Sequence, residues 1–535
     1  MTPTNSSRPA HRSRGPARRA GAFGPAGCAG PAGPDPASAS GLTRRGFLQG
    51  VAGVLGAASM VRGGDPLGLG LSTPAGAATL AGAAAAFGPT LPVGTPVLVV
   101  IELVGGNDIL NTIVPFGVPT TTGLYRSARP GLGLTQLTTT RPYGAPPNGN
   151  YSPPCLDLDG QWALHGALPF LANRWHDVGD VAIVKGTGEN VVRDMSHFAA
   201  WAFRWAGAFG GSLMNTGWLG RYNDLANTGQ PLGAVSLTGA HQSLASVNAP
   251  SVAIADLDTF DFSATNVPDR DRLLDEILAF GDPASTAINK VGTASRAIAL
   301  ANQAAATAAS VPRLPQGGSS GSLPHQLSTA ASLIQAGIPC QTYVAQLTGF
   351  DTHGSEPYNL WERLTQLNAG LTHFFSLVDG TPRAADVFVL LYSEFGRQVS
   401  QNAGQGTDHG QATDSIFVGG GVQGGFYGQA PSLAVAARDS DAMVATVDFR
   451  SVYATALNRL GGDPDLTDEA QGRDESGQPF ADLGVFAGAE SAPAPGVGVP
   501  TVPSGAEAFG VDGTTVPPVT SSAPVELEPY LVQQV

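Results

Sequence analysis

The sequence predicts an α/β fold built on a central, mostly parallel β-sheet with helices on both faces. Five short, near-continuous apolar runs are typical of strands buried on both sides of such a sheet; they cover 97–103, 181–184, 343–347, 387–392 and 415–418. Apolar residues spaced three or four apart separate several of these runs and predict amphipathic helices. Strands that alternate with helices favour a parallel sheet over an all-β or all-α fold.

The segments between the strands are predicted to be of two kinds, helices and loops. Two stripes of apolar residues at helical spacing predict helices. They are Leu327, Ala331 and Ile334, and then Leu360, Leu364, Leu367, Leu371 and Phe374. The stretch 269–309 is rich in Ala and Leu and is predicted to be mostly helical. Residues 119–160 and 312–323 are rich in turn-forming residues and are predicted to be loops.

Composition narrows the class of protein. The chain has 535 residues, of which 42% are hydrophobic, enough for a large core, and only 13% are charged. Its formal net charge of −14 disfavours nucleic acid or an anionic membrane surface as the main partner. Its 3 cysteines exclude a disulfide-rich scaffold and a zinc site made of four cysteines. Cys155 and Cys340 either pair with each other or are buried free thiols.

The two ends of the chain differ in composition from its middle. Residues 1–77 are predicted to be a disordered leader with a twin-arginine signal peptide, because Arg44 and Arg45 precede a weakly apolar stretch and a small-residue cleavage pattern. Residues 93–487 are predicted to form a single α/β domain, and 488–535 a disordered or extended tail. We therefore expect export by the twin-arginine machinery to the periplasm, cell envelope or medium, with no stable membrane anchor in the mature chain.

Acidic residues follow three of the predicted strands, and a fourth acidic motif precedes the last one. Because the carboxyl ends of parallel strands meet at one edge of a sheet, we expect these groups to share a crevice. Converging carboxylates repel one another unless cations neutralise them, although each acid alone could be a helix cap or a turn residue. Imidazole with carboxylate suits zinc or manganese, and an all-oxygen subset suits calcium or magnesium. The candidate metal ligands are Asp108, Asp351, His353, Glu394, Asp408 and His409.

A second motif lies at the predicted start of a helix. Ser196 is either the N-cap of that helix or a nucleophile activated by the helix dipole and a nearby metal. His197 is a candidate ligand or acid. Arg397 either clamps an anionic group or forms a salt bridge with Glu394 or Asp408. The candidate catalytic residues are therefore Ser196, His197 and Arg397.

In their order along residues 95–470, these motifs resemble those of the bacterial family catalogued as "domain of unknown function" number 1501. The resembling segments are Gly105-Gly106-Asn107-Asp108, Ser196-His197-Phe198, Gly349-Phe350-Asp351-Thr352-His353, Ser393-Glu394-Phe395-Gly396-Arg397 and Thr407-Asp408-His409-Gly410. That family is similar to the alkaline phosphatase and sulfatase superfamily. The resemblance implies an alkaline phosphatase-like sheet, a metal site at the strand ends and hydrolysis of phosphate or sulfate esters, with Ser196 as the nucleophile.

Two hypotheses about function follow. The first is an exported metal-dependent hydrolase of phosphate or sulfate esters, whose substrate is a small-molecule or polymer-borne anionic ester. The second is a non-catalytic exported envelope or binding protein that retains the fold and a structural metal ion. Val104 stands where the family often has a basic or polar residue, and this departure favours the second hypothesis.

Overall fold

The computed structural model describes residues 90–138, 151–226, 230, 232–260, 301, 303–436, 441–461 and 463–486. The predicted leader at 1–77, the predicted tail at 488–535 and most of the predicted helical stretch at 269–309 lie outside the described residues. Residues 303–309 of that stretch are helical. All described residues belong to one unit, Val51–Val535.

Each of the five apolar runs forms a strand, and shorter strands lie between them. In chain order the strands are β1 (Val97–Val104), β2 (Ile113–Pro115), β3 (Leu137–Thr138), β4 (Cys155–Asp157), β5 (Trp162–Leu164), β6 (Val181–Gly188), β7 (Ala234–Ser236), β8 (Ser251–Ala253), β9 (Thr342–Thr348), β10 (Val387–Tyr392), β11 (Thr413–Gly419), β12 (Gly425–Gly428) and β13 (Val447–Asp448).

The large sheet of the described residues has nine strands in the order β12-β6-β11-β10-β1-β9-β7-β8, with β13 beside β6. Strand β1 is central and pairs in parallel with β10 and β9. Strand β11 runs antiparallel to both of its neighbours, β10 and β6, whereas the other pairings are parallel. The predicted α/β class with a mostly parallel sheet is therefore confirmed. A small sheet, β2-β5-β4-β3, lies apart from it.

The helices are α1 (Ile109–Thr112), α2 (Pro119–Ala128), α3 (Pro169–Asn173), α4 (His197–Ala206), α5 (Trp218–Ala226), α6 (Leu323–Gln335), α7 (Glu356–Val378), α8 (Leu433–Ala436), α9 (Phe449–Gly461) and α10 (Pro464–Gln471). The two predicted apolar stripes lie on α6 and α7. Among the described residues, no helix has both the length and the apolar character needed to cross a bilayer.

Helices cover both faces of the large sheet because successive strand residues point to opposite sides. On β1, Val97 and Val99 belong to a core that includes residues of α6 and α7. Leu98 and Val100 instead face a second core built with α5 and α9. All four side chains are 0–1% exposed, as expected for the central strand of a sheet covered on both sides.

The structure decides two of the sequence predictions, the loop at 119–160 and the state of Cys155 and Cys340. The loop predicted at 119–160 is wrong at its start, because Pro119 begins the helix α2 and Tyr125 on that helix is buried. Proline is well tolerated in the first turn of a helix, since the N–H it lacks would be unbonded there. Cys155 and Cys340 are buried free thiols, and burial raises the pKa of each to about 12.

Candidate metal centre

Segments that adjoin five strands, β1, β6, β9, β10 and β11, meet at one edge of the large sheet. Strands β6, β9 and β10 point in the same direction, so the segments that follow them begin at that edge. Strand β11 is antiparallel to β10, so the segment that precedes it also lies there. Gly105, after β1, has a φ of +124°, and a Cβ at this position would lie 2.4 Å from the backbone nitrogen of Asp351. Glycine therefore lets the β1 and β9 loops approach closely.

Three histidines surround one carboxylate oxygen at this edge. His353 Nε2 lies 3.0 Å, His409 Nε2 3.2 Å and His197 Nε2 3.5 Å from Asp351 Oδ1. We call these four residues the imidazole cluster. The ligand atoms of His197, Asp351 and His409 all lie within 4.8 Å of one another. Two ligands come from the β9 loop, one from the segment before β11, and one from the start of α4.

The other nitrogen of each ring faces a hydrogen-bond acceptor. His197 Nδ1 lies 2.8 Å from Glu394 Oε1, and His409 Nδ1 lies 2.8 Å from the carbonyl oxygen of Met195. His353 Nδ1 lies 3.0 Å from Asp408 Oδ1. These acceptors assign the ring proton to Nδ1, so that in a neutral ring the lone pair of Nε2 points into the cluster.

This arrangement fits a cation. His353 Nε2 and His409 Nε2 are 3.0 Å apart, and two lone pairs at that distance repel unless a proton or a cation lies between them. His197 Nε2 is buried and has no hydrogen-bond partner among the residues that the structure describes. A buried polar atom without a partner is costly and is one sign of an ion-binding position. Imidazoles held by carboxylates or carbonyls through their far nitrogen are also typical of metal ligands.

Arg397 is a positioning residue for Asp351. Its side chain is fully buried and donates to Asp351 Oδ1 at 2.7 Å and to the backbone carbonyl oxygens of Gly105, Gly106, Phe350 and Thr407. Although burial acts to raise the pKa of Asp351, the hydrogen bond and charge of Arg397 lower it to about 2. Among the described residues Arg397 pairs with Asp351 and not with Glu394 or Asp408, and its contacts join the loops after β1, β9 and β10.

Neighbouring groups and burial shift the pKa values of His197, His409 and Asp408 in different directions. The hydrogen bond and charge of Glu394 raise the pKa of His197. Burial lowers the pKa of His409. Hydrogen bonds from Asn402 and His353 lower the pKa of Asp408. The Phe395 ring packs against His197 and His409, with ring centroids 4.9 and 4.8 Å apart, and so restrains both imidazoles.

The structure separates the six predicted ligands into groups. Asp351, His353 and His409 belong to the imidazole cluster. Glu394 and Asp408 lie outside the cluster, where they contact Nδ1 of His197 and of His353 and so orient the two rings. In addition to His197, Glu394 accepts hydrogen bonds from the backbone N–H of Gly105 and the hydroxyl of Ser393, so neither carboxylate oxygen is without a partner.

Asp108 lies in a separate ion pair. Both of its oxygens accept from the guanidinium of Arg129, at 2.5 and 2.9 Å, and both side chains are at most 1% exposed. Glu356, at the start of α7, is close to Asp108. Burial and the Asp108 charge raise the pKa of Glu356 well above its usual range. The Arg129 cation, at the end of α2, therefore neutralises Asp108, and the structure does not bring this residue into the imidazole cluster.

Ser196, one of the predicted catalytic residues, directly precedes the first residue of α4. It is exposed and occupies the N-cap position, but its hydroxyl makes no capping hydrogen bond. Its backbone N–H donates to Asp194 Oδ1 at 2.7 Å. The two other predicted catalytic residues, His197 and Arg397, both contact Asp351.

The centre is open to solvent on one side. About 45% of the His353 side chain and 46% of the Asp351 side chain are exposed, whereas Glu394 is fully buried. A ligand can therefore reach the cluster from the side of His353, while the opposite side is closed by protein.

We expect Asp408→Asn to weaken divalent-metal binding by about 10- to 100-fold, because His353 loses the carboxylate that orients it. Metal titration of the purified chain measures this change. Asp379→Asn is the matched control, since Asp379 is similarly exposed but follows the far end of α7. Equal affinities of the two variants would contradict the role assigned to Asp408.

Sequence reasoning missed Arg129 and Arg204, both buried at this edge. Arg129 lies in a segment predicted to be a loop and had no motif around it. Arg204 could have been found, because it lies seven residues after His197 and thus on the same face of α4.

Comparison with known proteins gives a family but no characterised relative. No curated protein matches the chain. The family described as "Protein of unknown function (DUF1501)" matches residues 193–478, more than half of the chain, and this region contains the whole imidazole cluster. The chain belongs to that family.

Proposed function

We propose that this protein is a metal-dependent hydrolase that acts on a phosphate or sulfate ester. The observation that carries the proposal is the convergence of three imidazole Nε2 atoms on the exposed carboxylate of Asp351. Catalytic metal sites combine such ligands with access for a substrate, whereas purely structural sites are usually closed.

His197, His353, His409 and Asp351 would hold the cation. Three nitrogen donors and one oxygen donor favour zinc or manganese over calcium or magnesium, which prefer oxygen ligands. When bound, such a cation supplies Lewis acidity that polarises an ester oxygen and stabilises developing negative charge. The donor set described above supports one cation, because Arg129 already supplies the positive charge beside Asp108.

The protein's own residues prepare the site for this chemistry. Glu394 and Asp408 keep the protons of His197 and His353 on Nδ1, which leaves their Nε2 atoms free for ligation. Arg397 keeps Asp351 ionised and fixes its position. The exposed hydroxyl of Ser196 lies next to His197 in the chain and remains the proposed nucleophile.

The choice of a phosphate or sulfate ester rests on resemblance. The ordered motifs resemble those of the family described as "Protein of unknown function (DUF1501)", and that family is in turn similar to the alkaline phosphatase and sulfatase superfamily, whose default chemistry is hydrolysis of such esters at a metal site at the strand ends. The twin-arginine motif at Arg44 and Arg45 supports export of the chain in a folded state, with the cation already bound.

A second candidate is a non-catalytic exported binding or envelope protein with a structural ion. It is favoured by the ligand count, since three imidazoles and Asp351 could complete a tetrahedral shell. It is also favoured by Arg397, whose contacts are all made within the protein.

Metal analysis of the full chain, combined with phosphate and sulfate monoester substrates, tests the proposal. We expect about one divalent cation per chain, hydrolysis of at least one ester class, and loss of that activity after chelation with recovery on adding metal. A stoichiometric cation without hydrolysis of any ester would favour the structural ion. A chain purified without any cation, and unable to bind one, would contradict both candidates.

A further inference from the structure

A small pocket adjoins the imidazole cluster beneath α4. Its wall includes Glu394 and Phe395, both of which contact His197, together with Arg204, Phe203 and Phe449. The pocket opens to solvent at its mouth. The pocket therefore shares part of its wall with the residues that support the proposed metal ligands.

Arg204 is a buried cation without a carboxylate partner among the described residues. Its side chain is 4% exposed, its Nε donates to the backbone oxygen of Glu394 at 3.0 Å, and its guanidinium lies over the Phe449 ring at 4.1 Å from the centroid. Within the described part of the chain, its two terminal nitrogens, Nη1 and Nη2, make no hydrogen bond. Burial lowers the pKa of Arg204, which reflects the cost of keeping this charge away from water.

The other buried arginines at this side of the sheet are satisfied. Arg129 pairs with Asp108, Arg397 with Asp351, and Arg450 with Asp448. Arg221 lacks a carboxylate, but its three nitrogens all donate to oxygens of the protein, mostly backbone carbonyls. Arg204 differs from these residues because it lines a pocket and two of its donor nitrogens have no acceptor among the described residues.

The acidic residues in the pocket wall are engaged elsewhere. Glu189 accepts from the backbone N–H groups of Val191, Val192 and Arg193, and Asp194 accepts from that of Ser196. Glu394 is bound by His197 and the Gly105 N–H. None of these carboxylates forms an ion pair with Arg204. The charges of Glu189 and Asp448 act on it only from a distance, so its terminal nitrogens are still available to an anion.

We propose that this pocket binds a tetrahedral oxyanion, with Nη1 and Nη2 of Arg204 as the donors that hold it. Guanidinium groups bind phosphate and sulfate through two parallel hydrogen bonds, and burial strengthens such bonds. This proposal extends the proposed function. It rests on that function in one respect only, that the oxyanion is taken to be the phosphoryl or sulfuryl group of the substrate.

Titration calorimetry with inorganic phosphate and with sulfate tests the pocket, using the full chain as purified and again after chelation. We expect the chelated protein to bind one or both oxyanions. Arg204→Lys keeps the charge but loses the paired donors, and Arg204→Met removes both. Each should weaken binding by roughly 10- to 100-fold without changing the metal content. Arg473→Met is the control, since Arg473 is exposed and pairs with Asp468.

A stability measurement covers the case in which the Arg204 variants do not fold. Phosphate should raise the Tm of the chelated wild-type chain above its value in chloride at equal ionic strength. If phosphate does not raise the Tm, the proposal is overturned. It is also overturned if Arg204→Lys binds the oxyanion as tightly as the wild type, because the bound group would then be an adventitious ion only. Oxyanion binding that depends on Arg204 in a chain that hydrolyses no ester supports the pocket and contradicts the proposed hydrolase alone.

Discussion

Replacing His409 with alanine will abolish stoichiometric binding of a divalent cation by the full chain. His409 contributes one of three nitrogens around Asp351, and its Nε2 lies 3.0 Å from that of His353. Removing it takes away one of the four donors and leaves Asp351 with only two imidazoles, so the cation is held by fewer protein bonds. We expect metal affinity to fall by more than about 100-fold, the upper range for loss of an outer, orienting group. Ester hydrolysis should fall with it.

Metal analysis after dialysis, together with circular dichroism to verify folding, measures this outcome. His176→Ala is the matched control, because His176 is exposed and contacts only the backbone oxygen of Asp157 among the described residues. The control should keep its cation. A His409→Ala chain that folds and retains one cation per chain would show that the metal is bound elsewhere.

Replacing Arg129 with methionine will cause a large loss of stability at neutral pH. The guanidinium is fully buried against Asp108, and Glu356 lies beside the pair. Without the cation, two buried carboxyl groups face each other with no positive partner. Breaking one side of a buried ion pair costs about 3–5 kcal/mol in the free energy of unfolding. Urea denaturation of the two chains measures the difference.

The same variant should show a characteristic pH dependence. In the wild type, burial opposes ionisation of Asp108, but Arg129 lowers its pKa below the usual value, so this carboxylate stabilises the fold at neutral pH and loses that effect only in acid. In Arg129→Met the largest effect that remains is burial, which raises the pKa of Asp108 against the smaller lowering effects of Glu356 and Arg397, so the variant gains relative stability as pH falls. The difference between the chains should shrink from pH 7 toward about pH 4.

The exposed pair Arg473–Asp468 provides the control for this prediction. Arg473→Met should change the free energy of unfolding by less than about 1 kcal/mol, since exposed ion pairs contribute little. A similarly small change in Arg129→Met, or a difference that is constant with pH, would contradict the interpretation of the Asp108 pair.

The local sequence pattern predicted the strands and helices whose apolar residues recur regularly along the chain. The apolar run at 387–392 is exactly as long as β10, because a strand buried on both faces requires apolar residues at every position. The rule that functional groups collect at strand ends also predicted that Asp351, His353 and His409 lie close together, as they do. His197 was found by its place at the start of a helix.

Long-range contacts could not be predicted in the same way. Asp108 and Asp351 both follow apolar strands, yet one is paired with Arg129 and the other faces three imidazoles. The difference depends on α2, which brings an arginine 21 residues away to Asp108. Likewise, the sequence offered Glu394 or Asp408 as a salt-bridge partner of Arg397, whereas the buried guanidinium pairs with Asp351 and is surrounded by backbone carbonyls from three loops.

The spacing of the cluster along the chain has a consequence for how the protein folds. His197 and Asp351 are separated by more than 150 residues, and His409 follows another 58 residues later. Only Asp351 and His353 are neighbours in the unfolded chain, so a cation gains its full set of donors only after β6, β9, β10 and β11 have assembled. Its binding free energy therefore favours the native state almost exclusively and should slow unfolding more than it speeds folding. A bound cation would therefore stabilise the sheet only after its topology is complete.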